Sequence, residues 1–473
     1  MKNILLFILF IHTLNCAAQN AIGRCSARIE ANEMPYAQII GETQNEHIMV
    51  LIHSKSKKQG KLIEFNKELL YNSEIELNFE NESILQCTYL NDKIVLFTSK
   101  VIDNANCVLA RIYDDYAFSN PEIICKAIFS NSVFDFSKSN NGAYFGIIAE
   151  TPYIKGTNEE IEVWVFDDVI HEQCYYKLAL PEKNTRVKVN VPVMSNTGLF
   201  FLIKRHIIAQ DNNYFVYTIN PEKKKHHRTS LKLMGKRIAD IKYQLDEQNN
   251  LHLAGFYSSV NYRVFEGCFY YKIDQTSRPI IFKQYGFDFD FLTQSQGKKI
   301  AKKNGGLLGY KMGEMNLFKD EIVLSASHSQ REKHFVGQEQ QISFSTDQLA
   351  LIILNKDGMK EMTQTLKVNQ QSENDRGFWN KHQFLIDSNH LSLLHNQTLN
   401  KSITSKINHF SDSNNVFTPA INFELNDAIN DSCGLDLASL KQIDSNYYVL
   451  AWNTNRNEFA ICSLLFADNE THK

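Results

Sequence analysis

The sequence predicts an all-β fold, a single β-propeller of about eight four-stranded blades, with seven as the second choice. Three observations predict it. A polar turn followed by six to eight strand-like apolar residues recurs eight times along the 473 residues. The recurrence runs at about 45–70 residues, the length of a four-stranded blade. Hydrophobic residues make up 43% of the chain and aromatic residues 11%, a composition that favours strands and can build a sizeable core. A chain of β-sandwich domains would need units of about 90–100 residues, roughly twice this period. A β-helix would need a much shorter one.

At the N-terminus, one lysine precedes the apolar run Ile4 to Ile11, followed by a short polar stretch and Ala17-Ala18. That order is expected of a secretory signal peptide, too short to span a bilayer. Residues 1–18 are therefore expected to be removed, with 19–473 forming the propeller. The exported protein would be periplasmic, outer-membrane-associated or extracellular. Cys16 as a lipidated cysteine is the alternative, although Thr13-Leu14-Asn15 matches the small-residue lipobox poorly. No transmembrane segment is expected after the signal peptide. The formal net charge of −3 supplies no global field for nucleic acid or anionic membranes.

The eight repeated segments begin their apolar runs at Ile48, Ile94, Tyr144, Leu199, Leu251, Ile322, Leu391 and Tyr447. "LHLAGFYS" (251–258) after "DEQNN" is representative and reads as an inner strand. A further strand follows most of them and often ends in an apolar residue plus Asn or Asp, as at Phe65-Asn66, Phe166-Asp167, Ile273-Asp274 and Leu354-Asn355. Asn and Asp bond locally and start the turn out of a strand. No WD dipeptide, YWTD sequence or Asp-box identifies a named propeller class.

Two intervals are longer than the rest. The first contains "DFDFLTQSQGKKIAKKNGGLLGY" (288–310), which reads as a short helix over 288–304. Phe289, Leu292 and Ile300 are expected on its packed side, the lysines in solvent, and Gly305-Gly306 at its end. The second contains "SASHSQREKHFVGQEQQISFSTD" (325–347), expected to be a long loop between the two inner strands of its blade.

The run from Phe287 to about Leu394 resembles a family of exported, uncharacterised proteins of Gram-negative bacteria. It carries "FDFDFLTQ", the lysine-rich helix, "EMNLFKDEIVLSAS", "LALIILNKDGMKEMTQTLKV" and "FLIDSNHLSLLHN" in that order. Members of that family have an Asp-Asp-Gly-Gly turn where this chain has Lys319-Asp320-Glu321. The resemblance implies export and a propeller-like repeat, and no activity.

Motifs for chemistry are sparse. No His-Glu-x-x-His, Gly-x-Ser-x-Gly or Walker-type loop occurs, so no cofactor, metal or catalytic residue is assigned. His226-His227 reads as a charged turn, and His328 and His334 share the long insertion. The two insertions fall in connection types that open on one propeller face, where long loops carry binding. Lys298, Lys299, Lys302, Lys303, Arg331 and His334 are the candidate partner-binding residues. The expected partner is an envelope protein or glycan, bound by a monomer without catalysis. The alternatives are a polysaccharide-acting hydrolase or lyase with acids at the central channel, and a structural subunit of an envelope complex.

Ring closure is the last expectation. The eighth unit lacks an outer strand, and "GRCSARIEA" (23–31) otherwise has no blade to join. Pairing with "EFAICSLL" (458–465) would place Cys25 and Cys462 as the disulfide candidate.

Overall fold

A computed structural model describes residues 22–32, 36–114, 117–208, 211–221, 223–259, 262–336, 339–375, 377–387, 389–399, 402–411, 416–425, 433–444, 446–453 and 457–465. The proposed signal peptide, Cys16 included, lies outside the described residues. Eight four-stranded blades are arranged as a β-propeller. Each repeated segment forms the second strand of its blade, bonded on both edges. Leu251–Ser258, for example, lies between Arg237–Leu245, the innermost strand of blade 5, and Gly267–Ile273.

The second strands are apolar almost throughout because both of their faces are buried. Side chains alternate across a strand. In blade 1, Ile48, Val50 and Ile52 enter the wedge shared with blade 8, whereas Met49 and Leu51 enter the wedge shared with blade 2. Among the described residues, the apolar clusters occupy all eight wedges between neighbouring blades. The core is a ring of slices.

The Asn and Asp residues at the strand ends do what their chemistry suggests. Asn66, Asp167, Asp274 and Asn355 each accept backbone N–H groups from the turn that follows, at 2.8–3.1 Å. The third residue after each of them is left-handed: Leu69, Ile170, Ser277 and Gly358 have φ of 60°, 68°, 68° and 73°. Only the last is a glycine. Ser277 is also buried, with an unpartnered hydroxyl. Ser277→Gly should relieve the left-handed strain and remove that hydroxyl, offset by glycine's extra chain entropy. A gain of about 1 kcal/mol in urea unfolding is expected, and a loss would sink this account of the turn.

The turns on one face also connect blades. Asn141 N–H donates to Asn196 Oδ1 at 3.0 Å, and Asn196 N–H donates to Asn249 Oδ1 at 2.8 Å. The polar turns of the repeat thus pass a hydrogen bond from blade 3 to 4 to 5.

The insertions depart from expectation in detail. Residues 325–347 are no loop: Glu321–Val336 and Glu339–Asn355 continue as one antiparallel hairpin, paired from Glu321↔Asn355 to Val336↔Glu339. Alternating polar residues such as Ser327, Ser329, Ser343 and Ser345 pair across strands as well as apolar ones once neighbours supply the hydrogen bonds. The lysine-rich segment is two helices, Phe289–Gln296 and Lys298–Asn304, separated by Gly297 at φ 81°. Phe291 and Leu292 of the first helix and Ala301 of the second are buried, whereas Phe289, at the start of the first helix, and Ile300 are exposed. Gly305, left-handed at φ 64°, ends the second helix.

Blade 8 takes its outer strand from the other end of the chain. Ile22–Cys25 lies antiparallel to Glu458–Leu465, with Cys25 opposite Cys462 and a disulfide between them. Ile29–Glu30 pairs with the same strand, and Arg28 reaches Glu458 at 3.4 Å. The free edge of Ile22–Cys25 pairs in parallel with Ile421–Leu425, the outer strand of blade 7.

Candidate functional site

Strand direction puts the inter-blade connections and the tips joining second to third strands on one face of the propeller. The blade 6 hairpin rises there. Beneath it, a pocket of about 350 Å³ opens between the inner strands of blades 5 to 8. Lys242 comes from blade 5, Lys311 from the start of the blade 6 inner strand, and Lys381 from the residue before the blade 7 inner strand. The hairpin supplies hydroxyls, including Ser329 and Thr346, and the ring of Phe344.

Two irregularities shape the pocket. The blade 6 inner strand bulges between Met312 and Met315, where Gly313 and Glu314 oppose Ser325. Ser325 Oγ accepts from Glu314 N–H at 2.7 Å and lies 2.8 Å from His382 Nε2. A Cβ on Gly313 would stand 2.5 Å from Ser325 Oγ and 2.6 Å from His382 Nε2, so the bulge requires glycine for this close approach. In blade 8, residues 437–440 bulge opposite Val449, which brings Leu437 and Ala438 to the pocket wall.

The charges are unevenly matched. Lys242 lies 3.7 Å from Glu314. Among the described residues, Lys311 and Lys381 have no carboxylate within ion-pair distance. Lys381 sits 5.7 Å from the centroid of the Phe378 ring. Asn380 lines the pocket with both side-chain polar atoms buried and unpartnered.

Burial pushes the His382 imidazole down to about 4 from its ordinary 6.5, because charging it would cost solvation. A histidine with a lowered pKa contributes stability that is complete above 6.5 and is lost as the pH falls through that value towards 4. The shift corresponds to about 3 kcal/mol. Wild type minus His382→Gln, measured by urea unfolding from pH 7 to pH 4, should show a loss of this order confined to that window. A flat difference would mean that His382 titrates in the native state as it does in the unfolded chain, with no cost of burial.

Blades 3 and 4 hold a second polar group on the same side. Asn190 Nδ2 donates to Glu150 at 2.7 Å and to Glu159 at 2.8 Å, and Lys204 pairs with Glu159 at 2.6 Å. Desolvation raises the Glu150 carboxyl and also that of Asp135 on the blade 3 inner strand. On the opposite propeller face, a cavity of about 700 Å³ includes Asp246. There Asn250, His252 and Lys272 already bond that carboxylate and hold its pKa far below the usual range.

The candidates named from sequence fall in two places. Lys298, Lys299, Lys302 and Lys303 are exposed on the second helix. The helix pair packs in the wedge between blades 5 and 6 and against the blade 6 outer strand, where Ser295 meets Thr365 at 2.8 Å. None of the four lines the pocket. Arg331 lies across the hairpin from Phe344, a residue of the pocket wall, with its guanidinium 5.9 Å from the ring centroid, but does not itself line the pocket. His334 is nearer the hairpin tip, 3.5 Å from Ser343 Oγ. His328 bonds Asp347 at 2.6 Å, and His226 bonds Tyr176 at 2.7 Å. Among the described residues, no three His, Cys, Asp or Glu side chains are placed to hold a metal. No helix there is long and apolar enough to cross a membrane. Lys242, Lys311, Lys381, Phe344 and Asn380 carry no local motif. The one available signal was Gly313 inside a strand, a mark of a bulge.

No known family profile matches the chain, and no curated protein does. Among solved structures, the polysaccharide lyase Uly1 superposes with a TM-score of 0.43 at 8% identity, over 93% of this chain and 99% of the lyase. A prolyl endopeptidase gives 0.41 at 10% identity, over 90% of this chain and 56% of the peptidase. Dipeptidyl peptidase 4 of Porphyromonas gingivalis gives 0.37 at 8% identity, over 90% and 65%. The chain therefore spans little more than half the length of the endopeptidase, and none of these similarities carries an activity over.

Proposed function

We propose that this protein is an exported, non-enzymatic propeller that binds an anionic glycan of the cell envelope in the pocket beneath the blade 6 hairpin. The observation that carries the reading is the pair Lys311 and Lys381. Two cations without carboxylate partners face one concave site, beside hydroxyls and an aromatic wall. Ammonium groups left without carboxylates favour an anion, and a concave site with a few placed polar groups suits a small unit of a larger chain. The test is titration of carboxylated and sulfated oligosaccharides into the wild type and into Lys311→Ala/Lys381→Ala. At least a tenfold loss of affinity and a shallower salt dependence are expected, each lysine contributing about 1 kcal/mol. Equal binding by both proteins would move the site elsewhere.

Asp135 and Glu150, with carboxyls raised by desolvation, favour a second reading, in which an acid pair cleaves the bound polysaccharide. Incubation with such a glycan should then release shorter products, and Asp135→Asn should stop the release. Export rests on residues 1–18. Sequencing the mature N-terminus tests it: Met1 retained overturns it, and a lipid on Cys16 selects the tethered form.

A further inference from the structure

The blade 6 hairpin sorts its charges by face. Along Glu321–Val336 the odd-numbered residues face blade 7: Val323 enters the wedge between blades 6 and 7, and Ser325 meets His382. Side chains alternate across a strand, so Ser327, Ser329, Arg331, Lys333 and Phe335 follow on the same side. Their cross-strand partners agree, with Arg331 opposite Phe344 and Lys333 opposite Ile342. Ser327, Ser329 and Phe344 already line the pocket. Acids fall on the other face, where Glu332 lies opposite Ser343 and Ser343 opposite Glu373. Arg331 and Lys333 are exposed. Among the described residues, neither cation has an ion-pair partner. A strand rises about 3.3 Å per residue, so Lys333 stands about 13 Å beyond Ser329 at the pocket.

Resting on the reading of the pocket as an anionic-glycan site, we infer that the hairpin continues it and that the ligand is an extended polyanionic sugar chain. Lys311 and Lys381 hold one charged unit in the pocket. The chain then leaves along the blade 7 face of the hairpin, where Arg331 and Lys333 take the next charges in turn. The Arg331 guanidinium stands over the Phe344 ring, 5.9 Å from its centroid, and that attraction keeps it on the pocket side. Next to these cations, the Ser327 and Ser329 hydroxyls and the Phe344 ring suit the hydroxyls and the apolar face of a sugar. A single sugar acid would reach the pocket lysines and leave the hairpin cations unused. A linear chain with charge at regular intervals meets both sets. Exposed ion pairs contribute little singly, but several engaged by one chain add.

Calorimetric titration with digalacturonate and hexagalacturonate tests this. A longer chain offers the pocket more binding frames, so part of any gain with length is statistical. Arg331→Ala/Lys333→Ala keeps that part and removes the rest. The preference of wild type for the hexamer over the dimer should exceed that of the variant by about 10-fold, the worth of two exposed ion pairs. Both proteins should bind the dimer alike. Arg331→Gln/Lys333→Gln serves as the second variant if alanine disturbs the packing on Phe344, with the same result expected. Glu332→Gln removes a charge from the other face and should change hexamer affinity less than about twofold at physiological salt, where screening acts within about 8 Å. An equal length preference in wild type and both double variants would overturn the inference while leaving the pocket site in place. A gain in Glu332→Gln as large as the loss in the double variants would also overturn it, since net charge alone would then act. Hexaglutamate bound as tightly as hexagalacturonate, with the same dependence on Arg331 and Lys333, would assign this face to an acidic peptide instead. Wild type binding neither saccharide would remove the pocket site itself.

Discussion

A protein lacking residues 19–31 is expected to melt far below the full-length chain. The segment does three things at once. It gives blade 8 its fourth strand, it covers the edge of Glu458–Leu465, and through Cys25–Cys462 it ties residues 437 positions apart. A bond closing so long a loop removes much of the unfolded chain's freedom, worth about 2–5 kcal/mol. The strand adds buried contacts: Ser26 N–H donates to Ile461 O at 2.9 Å, and its hydroxyl accepts from Ile461 N–H at 3.1 Å. Without them the outer edge of blade 8 stands open, a liability for pairing between molecules. The wedge between blades 8 and 1 would also become a point from which the ring frays. Cys25→Ser/Cys462→Ser isolates the covalent part and should fall between the two proteins in melting temperature. If the truncated protein melts like the full-length one, closure does not depend on this strand.

Lys204→Met is expected to cost about 3–5 kcal/mol. Lys204 and Glu159 have side chains 1% and 0% exposed and meet at 2.6 Å between blades 4 and 3. Asn190 bonds both, as donor to Glu159 at 2.8 Å and acceptor from Lys204 at 3.2 Å. Removing only the cation leaves a carboxylate in a dry site with one amide donor. That is more expensive than losing the attraction alone. Replacing both charges, as Lys204→Met/Glu159→Leu, should recover most of the loss, since similar apolar volume often substitutes for a buried pair without net cost. Urea unfolding of the two single variants and the double forms a cycle that gives the coupling directly. A double variant as unstable as Lys204→Met would mean that the cost comes from packing.

Both predictions concern features that differ in how far they could be read in advance. The unpaired eighth blade and the spare N-terminal strand are a mismatch of counts along the chain, visible before any coordinates. The buried Lys204 stands in "LFFLIKRH", where an apolar run with a lysine near its end looks like any strand approaching solvent. Its burial depends on Glu159, supplied by a neighbouring blade 45 positions earlier. The hairpin of blade 6 was legible as an insertion and misread as a loop. Its serines and glutamines lack an apolar period, and pairing between polar strands depends on cross-strand partners rather than on the pattern of one strand.

What the sequence determined by itself is the repeated unit. Strands that must be apolar on both faces, turns that need Asn or Asp, and a period near one blade are local demands that leave local marks. The pocket was decided by tertiary structure alone. Lys242, Lys311 and Lys381 are separated by 69 and 70 positions, one blade each, and no short-range pattern connects them. They converge because inner strands of consecutive blades lie side by side only once the wedges between them have packed. Two bulges, at 313–314 and 437–440, then turn the strands locally and complete the pocket walls. An isolated lysine on an inner strand reads as solvated surface; the curvature of the ring brings three of them to one opening.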